Sequence, residues 1–142
     1  MDDQKSSPGG EDPIAEFMRQ PVWAVVGASN DPSKWGHRIF QQLRRQGYRV
    51  YPVNPRATEV AGETAYPTLS ALPVVPDVVD TVVPPAVTEQ VVAEAARLGI
   101  RRIWMQPGSE SARAIEIGET AGMTVVHDAC VLVEGAAQRR HA

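Results

Sequence analysis

The feature that most constrains the fold is a rhythm that starts at Val22 and repeats along the chain. A short apolar run is followed by a turn rich in Gly, Pro, Ser or Asn, a helical segment, and a glycine before the next run. This alternation is typical of βα units, which build a mostly parallel sheet. Five strands are predicted over 22–26, 49–53, 78–83, 101–106 and 124–127, with a further short piece over 130–133.

Helices are predicted before the first strand and between later ones, over 14–19, 36–46, 89–98 and 109–121, with a helical turn near Ser70. Thr88 is the expected N-cap of the third helix and Ser109 opens the fourth, because a hydroxyl group suits a helix N-terminus. With right-handed crossovers, these elements predict an α/β fold: a single doubly wound Rossmann-like domain with a mostly parallel five-stranded sheet. Strand one is expected to be central, with the ligand crevice above its carboxyl end.

The domain is expected to cover residues 13–137 of a chain of 142 residues, a length that suits one core. Residues 1–12 contain almost nothing apolar. Burial cannot offset the entropy of ordering them, so we expect a disordered leader. Residues 138–142 are expected to fray.

Charge and composition exclude several classes of partner. A formal net charge of −3 supplies no broad positive field for DNA or RNA. No apolar run approaches the roughly 20 residues that span a bilayer, so no membrane partner is expected. The polar, acidic N-terminus does not resemble a secretory signal, and the cytoplasm is the expected location. The sequence leaves the oligomeric state open.

A glycine-bounded loop follows the first strand, the position at which dinucleotide-binding folds hold phosphate. It runs from Gly27 to Gly36 and contains Ser29, Ser33 and Lys34. Glycine at 27 permits a tight turn, and glycine at 36 permits close approach of the helix to the sheet or the ligand. The helix amides, the hydroxyl groups and the lysine suit an anion. Phosphate binding is favoured over a purely structural turn.

The end of the second strand bears on the choice of nucleotide. NAD sites usually place Asp or Glu there to bond the ribose hydroxyls. Here Asn54, Pro55 and Arg56 follow the strand, with no carboxylate until Glu59. A basic residue suits the ribose phosphate that NADP and CoA both carry, although a solvated surface arginine explains Arg56 equally well.

Four motifs occur in the order and spacing of the small CoA-binding-domain proteins, which the chain resembles from about residue 22 to residue 134. They are Val26-Gly27-Ala28-Ser29; Gly47-Tyr48-x-Val50-x-Pro52-Val53-Asn54-Pro55; Gly62 with Tyr66-Pro67-x-Leu69; and Trp104-x-Gln106-x-Gly108. The same domain is similar to the nucleotide-binding part of the succinyl-CoA synthetase α subunit and of ADP-forming acyl-CoA synthetases. The resemblance implies CoA or acyl-CoA as the ligand.

The resemblance also implies which residues form the site. The CoA phosphates would be lined by Gly27, Ala28, Ser29 and Lys34. The adenosine end would meet Asn54, Pro55 and Arg56, and the nucleotide would be walled by Val83, Pro84 and Pro85. The path of the pantetheine arm would pass Gln106 and Gly108.

Other chemically distinctive residues have simpler interpretations. Cys130 and His127 are interpreted as a buried small residue and a satisfied polar residue, with a reactive thiol as the alternative. The three histidines lack the spacing of a metal site. Trp23 and Trp104 are interpreted as core residues, whereas Trp35 either covers the ligand or packs at an edge. Ser29 has no nucleophile elbow around it.

The expected function is therefore CoA or acyl-CoA binding by a module without chemistry of its own, with no catalytic residues assigned. Two enzymatic alternatives stay open: an NADP-type oxidoreductase, and a subunit of an acyl-CoA ligase that acts with partner chains. The first requires a substrate domain and an acid/base pair that are not visible. The second requires a phosphorylatable histidine and an ATP-binding unit from other chains.

Overall fold

The computed structural model describes residues 12–140. The expected leader therefore lies outside the described residues except for Asp12, whose carboxylate accepts a hydrogen bond from the Ile14 amide and caps the first helix. The helices are α1 (Pro13–Met18), α2 (Trp35–Arg45), α3 (Pro85–Arg97), α4 (Ala112–Thr120) and α5 (Val131–Arg140), with a 3₁₀ turn at Leu69–Ala71. That turn confirms the helical turn predicted near Ser70.

A five-stranded parallel sheet forms the centre of the domain and confirms the predicted fold class. Its strands are β1 (Val22–Val26), β2 (Arg49–Val53), β5 (Val78–Thr81), β6 (Arg102–Met105) and β7 (Thr124–Val126). The order is β2-β1-β5-β6-β7, so the chain turns in opposite directions on the two sides of β1. This reversal creates a crevice beyond the carboxyl ends of β1 and β5.

The sheet separates two apolar clusters because successive strand residues point to opposite faces. On one face Trp23, Val25 and Trp104 pack with residues of α1, α2 and α5; on the other Ala24, Val79 and Ile103 pack with residues of α3 and α4. Trp23 and Trp104 are fully buried, which confirms their interpretation as core residues. No helix within residues 12–140 combines the length and apolar character needed to cross a membrane.

Two predicted N-caps are wrong. Thr88 lies inside α3, because Pro84 occupies the N-cap position and Pro85 starts the helix with its preset backbone angle. Ser109 is buried before α4, and the cap is Ser111, whose hydroxyl oxygen accepts a hydrogen bond from the Ala114 amide at 3.0 Å. Instead of capping helices, Thr88 and Ser109 belong to a buried cluster of hydroxyl groups near the carboxyl end of β5.

The carboxyl end of the chain was also misassigned. The predicted short strand over 130–133 is the first turn of α5, in which the Cys130 carbonyl accepts from the amides of Val133 and Glu134. An apolar run of this length does not distinguish a strand from a buried helical turn. The sequence analysis also missed a small hairpin of β3 (Glu59–Val60) and β4 (Glu63–Thr64), which pairs antiparallel beside the crevice loop.

Candidate ligand crevice at the carboxyl edge of the sheet

The crevice is bounded by the segments that follow β1, β2, β5 and β6. Gly27 lies at its centre, because its amide donates to the Val53 carbonyl at 3.0 Å while Val82 donates to Val26 at 2.8 Å. The loops after three neighbouring strands therefore meet at the predicted point. This placement agrees with the ligand position of doubly wound sheets.

Gly27 and Gly36 are both required by close backbone contacts. Gly27 has φ +103°, and a Cβ there would lie 2.5 Å from the Val82 carbonyl oxygen. A Cβ at Gly36 would lie only 1.9 Å from the Gly27 carbonyl oxygen. The first turn of α2 thus rests directly on the end of β1, which brings its amide groups to the crevice.

The interior of the loop is organised by short-range hydrogen bonds. The Ser29 hydroxyl oxygen accepts from the Asp31 amide at 3.0 Å, and Asp31 accepts from both the amide and the hydroxyl of Ser33. The Ser33 hydroxyl and amide, with smaller contributions from Lys34 and His37, hold the pKa of Asp31 below its usual value. The Asp31 charge is therefore directed into the loop's own turn.

The N-terminus of α2 has no side-chain cap, although Lys34 occupies the N-cap position. Uncapped helix amides and a lysine at the helix start together attract an anion. His37 donates from Nδ1 to the Ser29 carbonyl at 2.9 Å, which ties the loop to the first turn of α2. Trp35 is 58% exposed, and the Arg38 guanidinium lies 5.0 Å from the centroid of its ring. Its two interpretations, ligand cover and edge packing, stay predictions.

Asn30 fastens the loop to the hairpin, a role that the sequence analysis missed. Its side-chain amide donates to the Glu59 carbonyl at 2.7 Å, and its side-chain oxygen accepts from the Ala61 amide at 2.9 Å. These two bonds join segments about thirty residues apart in sequence. Two-residue strands leave almost no sequence signal, so neither the hairpin nor its connection to Asn30 was predictable.

Asn54 connects the second strand to the same loop. Its side-chain amide donates to the Ala28 carbonyl at 2.9 Å, and its oxygen accepts from the Arg56 amide at 2.8 Å. Pro55 and Arg56 are exposed on the turn that follows. Within residues 12–140, the Arg56 guanidinium has neither a hydrogen bond nor an ion pair, so its charge is open to a ligand or to solvent.

The opposite wall is formed by the segment after β5. The Val83 side chain packs against Gly27, where an added Cβ would lie 2.9 Å from it. Pro84 and Pro85 are exposed at the N-terminus of α3, which also has no side-chain cap. Gly27 and Val83 are thus brought together, whereas the two prolines form the rim.

Gln106 and Gly108 are placed differently from each other. Gln106 is buried, with its side-chain nitrogen donating to Asp80 Oδ1 at 2.7 Å and its side-chain oxygen accepting from the Val131 amide at 3.2 Å. Gly108 is exposed on the loop after β6, with φ +90°. Gly108 is therefore accessible from the solvent, whereas both polar groups of the Gln106 side chain are bonded within the protein.

A buried hydroxyl cluster supports the β5 side of the crevice. The Ser109 hydroxyl is hydrogen-bonded to those of Thr81 at 2.8 Å and Thr88 at 2.7 Å. The cluster joins the end of β5, the first turn of α3 and the loop after β6. Hydroxyl groups in helix and loop segments carry no sequence signal for such a convergence, which explains why Thr88 and Ser109 were predicted as caps.

Cys130 is partly exposed, not fully buried as the sequence analysis expected, and it lies directly before α5. His127 bonds its neighbour Asp128 at 2.7 Å, so it is a partnered polar residue. Within the described part of the chain, no three His, Cys, Asp or Glu side chains are grouped so as to hold a metal ion.

Comparison with known proteins connects this crevice to a family. The sequence model described as "CoA binding domain" matches residues 21–136. The α subunit of acetate–CoA ligase (ADP-forming) II from Pyrococcus furiosus is 35% identical over 119 residues, which cover 76% of this chain and 26% of that subunit. The chain therefore spans about a quarter of that curated relative.

Two further relatives match over most of their own length. The uncharacterized protein YneT of Bacillus subtilis is 28% identical over 82% of this chain and 87% of that protein. The solved structure of a hypothetical protein from Pyrococcus horikoshii has a TM-score of 0.86, with 32% identity over 89% of both chains. Sequence motifs, strand order and the family match agree, and the chain belongs to the family of CoA-binding-domain proteins.

Proposed function

We propose that this chain binds CoA or acyl-CoA in the crevice beyond the carboxyl ends of β1 and β5, beside Gly27 and Val83, and that it acts as a binding module without chemistry of its own. The observation that carries the proposal is the N-terminus of α2, which has no side-chain cap and contacts Gly27. This contact lies where the strand order reverses, and the chain belongs to the CoA-binding-domain family. An anionic ligand in such a crevice meets several backbone amides at once.

The diphosphate of CoA is assigned to the loop from Gly27 to Gly36. Ala28 and Ser29 supply backbone close to the ligand, and the α2 N-terminus supplies donors. Lys34 adds a positive charge at the same end of the helix. The Ser29 hydroxyl already accepts a bond from Asp31, but its proton is still available to donate to a phosphate oxygen.

The adenosine end is assigned to the turn at Asn54, Pro55 and Arg56. Asn54 holds the turn against Ala28 and accepts from the Arg56 amide, so the backbone of Arg56 is tied to the end of the phosphate loop. We assign Arg56 to the ribose 3′-phosphate, and Val83, Pro84 and Pro85 to the wall beside the nucleotide. Gly108 then lies on the path of the pantetheine arm.

Calorimetric titration tests the proposal. CoA and acetyl-CoA are expected to bind more tightly than NADP, and NAD is expected to bind least, because only the first two carry both a 3′-phosphate and a pantetheine arm. Stronger binding of NADP would favour the oxidoreductase alternative. Absence of binding by any CoA species would overturn the proposal.

Arg56→Ala tests the adenosine assignment specifically. CoA affinity should fall about tenfold, since a charge-assisted contact to phosphate is lost, whereas affinity for 3′-dephospho-CoA should be unchanged. Arg97→Ala is the matched control, because it removes the same charge from an exposed residue in the last turn of α3. Equal losses of affinity for CoA and for 3′-dephospho-CoA would show that Arg56 does not contact the ribose phosphate.

A ligase subunit is the second candidate, favoured by the 35% identity to the acetate–CoA ligase α subunit. Formation of ATP from acetyl-CoA, ADP and phosphate distinguishes the two. The binding module predicts no ATP from this chain, either alone or when mixed with candidate partner chains. ATP formation dependent on a partner would replace the module with a ligase subunit.

A further inference from the structure

The strongest unexplained feature outside the assigned site is a carboxyl group in the middle of the sheet. Asp80 lies on β5 between Val25 of β1 and Trp104 of β6, and it is completely buried. Its Oδ1 accepts from Gln106, while Oδ2 has no hydrogen-bond partner within the described structure. An unpartnered polar atom at such a depth is costly, so its presence calls for a physical explanation.

Asp80 is connected to the crevice through one residue. Gln106 donates from its side chain to Asp80, and the same side chain accepts from the amide of Val131, the first residue of α5. The Gln106 backbone is fixed as well, because its amide donates to Thr81 at 3.1 Å and its carbonyl accepts from Ser109 at 2.8 Å. Gln106 therefore has no freedom to turn toward a ligand without breaking one of these bonds.

Val131, which donates to the Gln106 side chain, lies close to the phosphate loop. Val131 is buried in the same apolar cluster as Ala28 of the phosphate loop and Phe40 of α2. The carbonyl of Ala129, two residues before Val131, accepts a hydrogen bond from the Trp104 indole at 2.8 Å. These two polar bonds, from Gln106 and Trp104, fix the start of α5 at the carboxyl edge of the sheet.

The geometry points to Asp80 as a positioning residue of the crevice: by orienting Gln106, it holds the first turn of α5 against the carboxyl edge of the sheet. Asp80 does not contact the ligand, and Gln106 acts through α5 instead of bonding the pantetheine arm. Burial raises the pKa of Asp80 to about 8, against a smaller opposing effect of the Gln106 amide, so the carboxyl is mostly neutral at pH 7. No charged side chain contributes to that shift.

Amide hydrogen exchange tests the positioning role without any ligand. Asp80→Leu keeps the number and branching of the side-chain heavy atoms, although it adds volume, and it removes the acceptor for Gln106. The Val131 amide should then exchange about tenfold faster, while the Val25 amide, which reports opening of the central sheet, should not change. Asp80→Asn keeps an oxygen acceptor in a neutral side chain and should restore slow exchange at Val131.

Asp77→Leu is the matched control, because it makes the same substitution one residue before β5, where the carboxylate accepts from the Val22 amide. It should leave Val131 exchange unchanged. If Asp80→Leu does not fold, Asp80→Ala decides, because it also removes the acceptor and adds no volume: fast exchange at Val131 is expected. Slow exchange at Val131 in a folded Asp80→Leu or Asp80→Ala, or fast exchange in Asp80→Asn, would overturn the inference.

CoA titration of the same variants tests whether the positioning serves the proposed site, and this arm rests on the proposed function. Asp80→Leu should weaken CoA binding about tenfold, with Asp80→Asn close to wild type. If wild-type protein binds no CoA, the proposed function fails while the exchange result still decides the role of Asp80. If exchange at Val131 changes but CoA affinity does not, the first turn of α5 does not shape the CoA site.

Discussion

At the scale of single residues, the site depends on two glycines whose roles follow from different contacts. Gly27 was predicted from the strand–loop–helix pattern, and the structure adds that its carbonyl oxygen contacts the helix start at Gly36.

The role of Asp80 was not predicted, because a single carboxylate within an apolar run does not reveal that it is buried. Gln106 was predicted near the path of the pantetheine arm, and the sequence could not show that its side chain is bonded to Asp80 and Val131.

Gly36→Ala is expected to lower the free energy of unfolding by about 2 kcal/mol or more, because its methyl group would overlap the Gly27 carbonyl and force α2 away from β1. Gly135→Ala in α5 is the control. Its added carbon would meet neighbours no closer than 3.4 Å, so it should be neutral or stabilising by up to about 1 kcal/mol. Urea unfolding measures both changes, and equal stabilities of the two variants would contradict the contact.

At the scale of elements, the strands and most helices were predictable because their apolar periodicity is strong. The ends were less so. Helix α3 begins at Pro85 and not at residue 89 as predicted, because proline presets the backbone angle of the first helical turn. The short strand predicted over 130–133 is the first turn of α5, because so short an apolar run fits a strand or a helix equally well. The β3–β4 hairpin was missed, although it anchors the phosphate loop through Asn30.

Asn30→Ala should release the loop from the hairpin, because both hydrogen bonds between them are lost. We expect faster hydrogen exchange at the Ala61 amide and a loss of stability of about 1 kcal/mol. Asn30→Asp keeps an acceptor for Ala61 and should protect that amide more than Asn30→Ala does. Identical exchange at Ala61 in wild type and Asn30→Ala would show that the connection contributes nothing in solution.

At the scale of the whole molecule, Asp80 makes stability depend on pH. Its pKa is about 8 in the folded chain against 3.8 for an unperturbed aspartate side chain, so the folded chain keeps a proton that the unfolded chain releases between these values. The free energy of unfolding should therefore fall as pH rises from about 4 to about 8, by several kcal/mol from this group. Asp80→Asn should remove that part of the decline.

Urea unfolding of wild type and Asp80→Asn at pH 5 and pH 8 measures this difference, because all other titrating groups are shared. Wild type should lose more stability between the two pH values than the variant does. Parallel behaviour of the two proteins would contradict a buried neutral carboxyl at Asp80.

The central claim, that CoA binds at the phosphate loop, is tested most directly by following backbone amide signals in NMR during a CoA titration. The account predicts that the amides of Gly27, Ala28, Ser29 and Gly36 shift together, with those of Arg56 and Val83 following the same binding curve. Shifts confined to surfaces away from these residues, or no shifts at millimolar CoA, would contradict it.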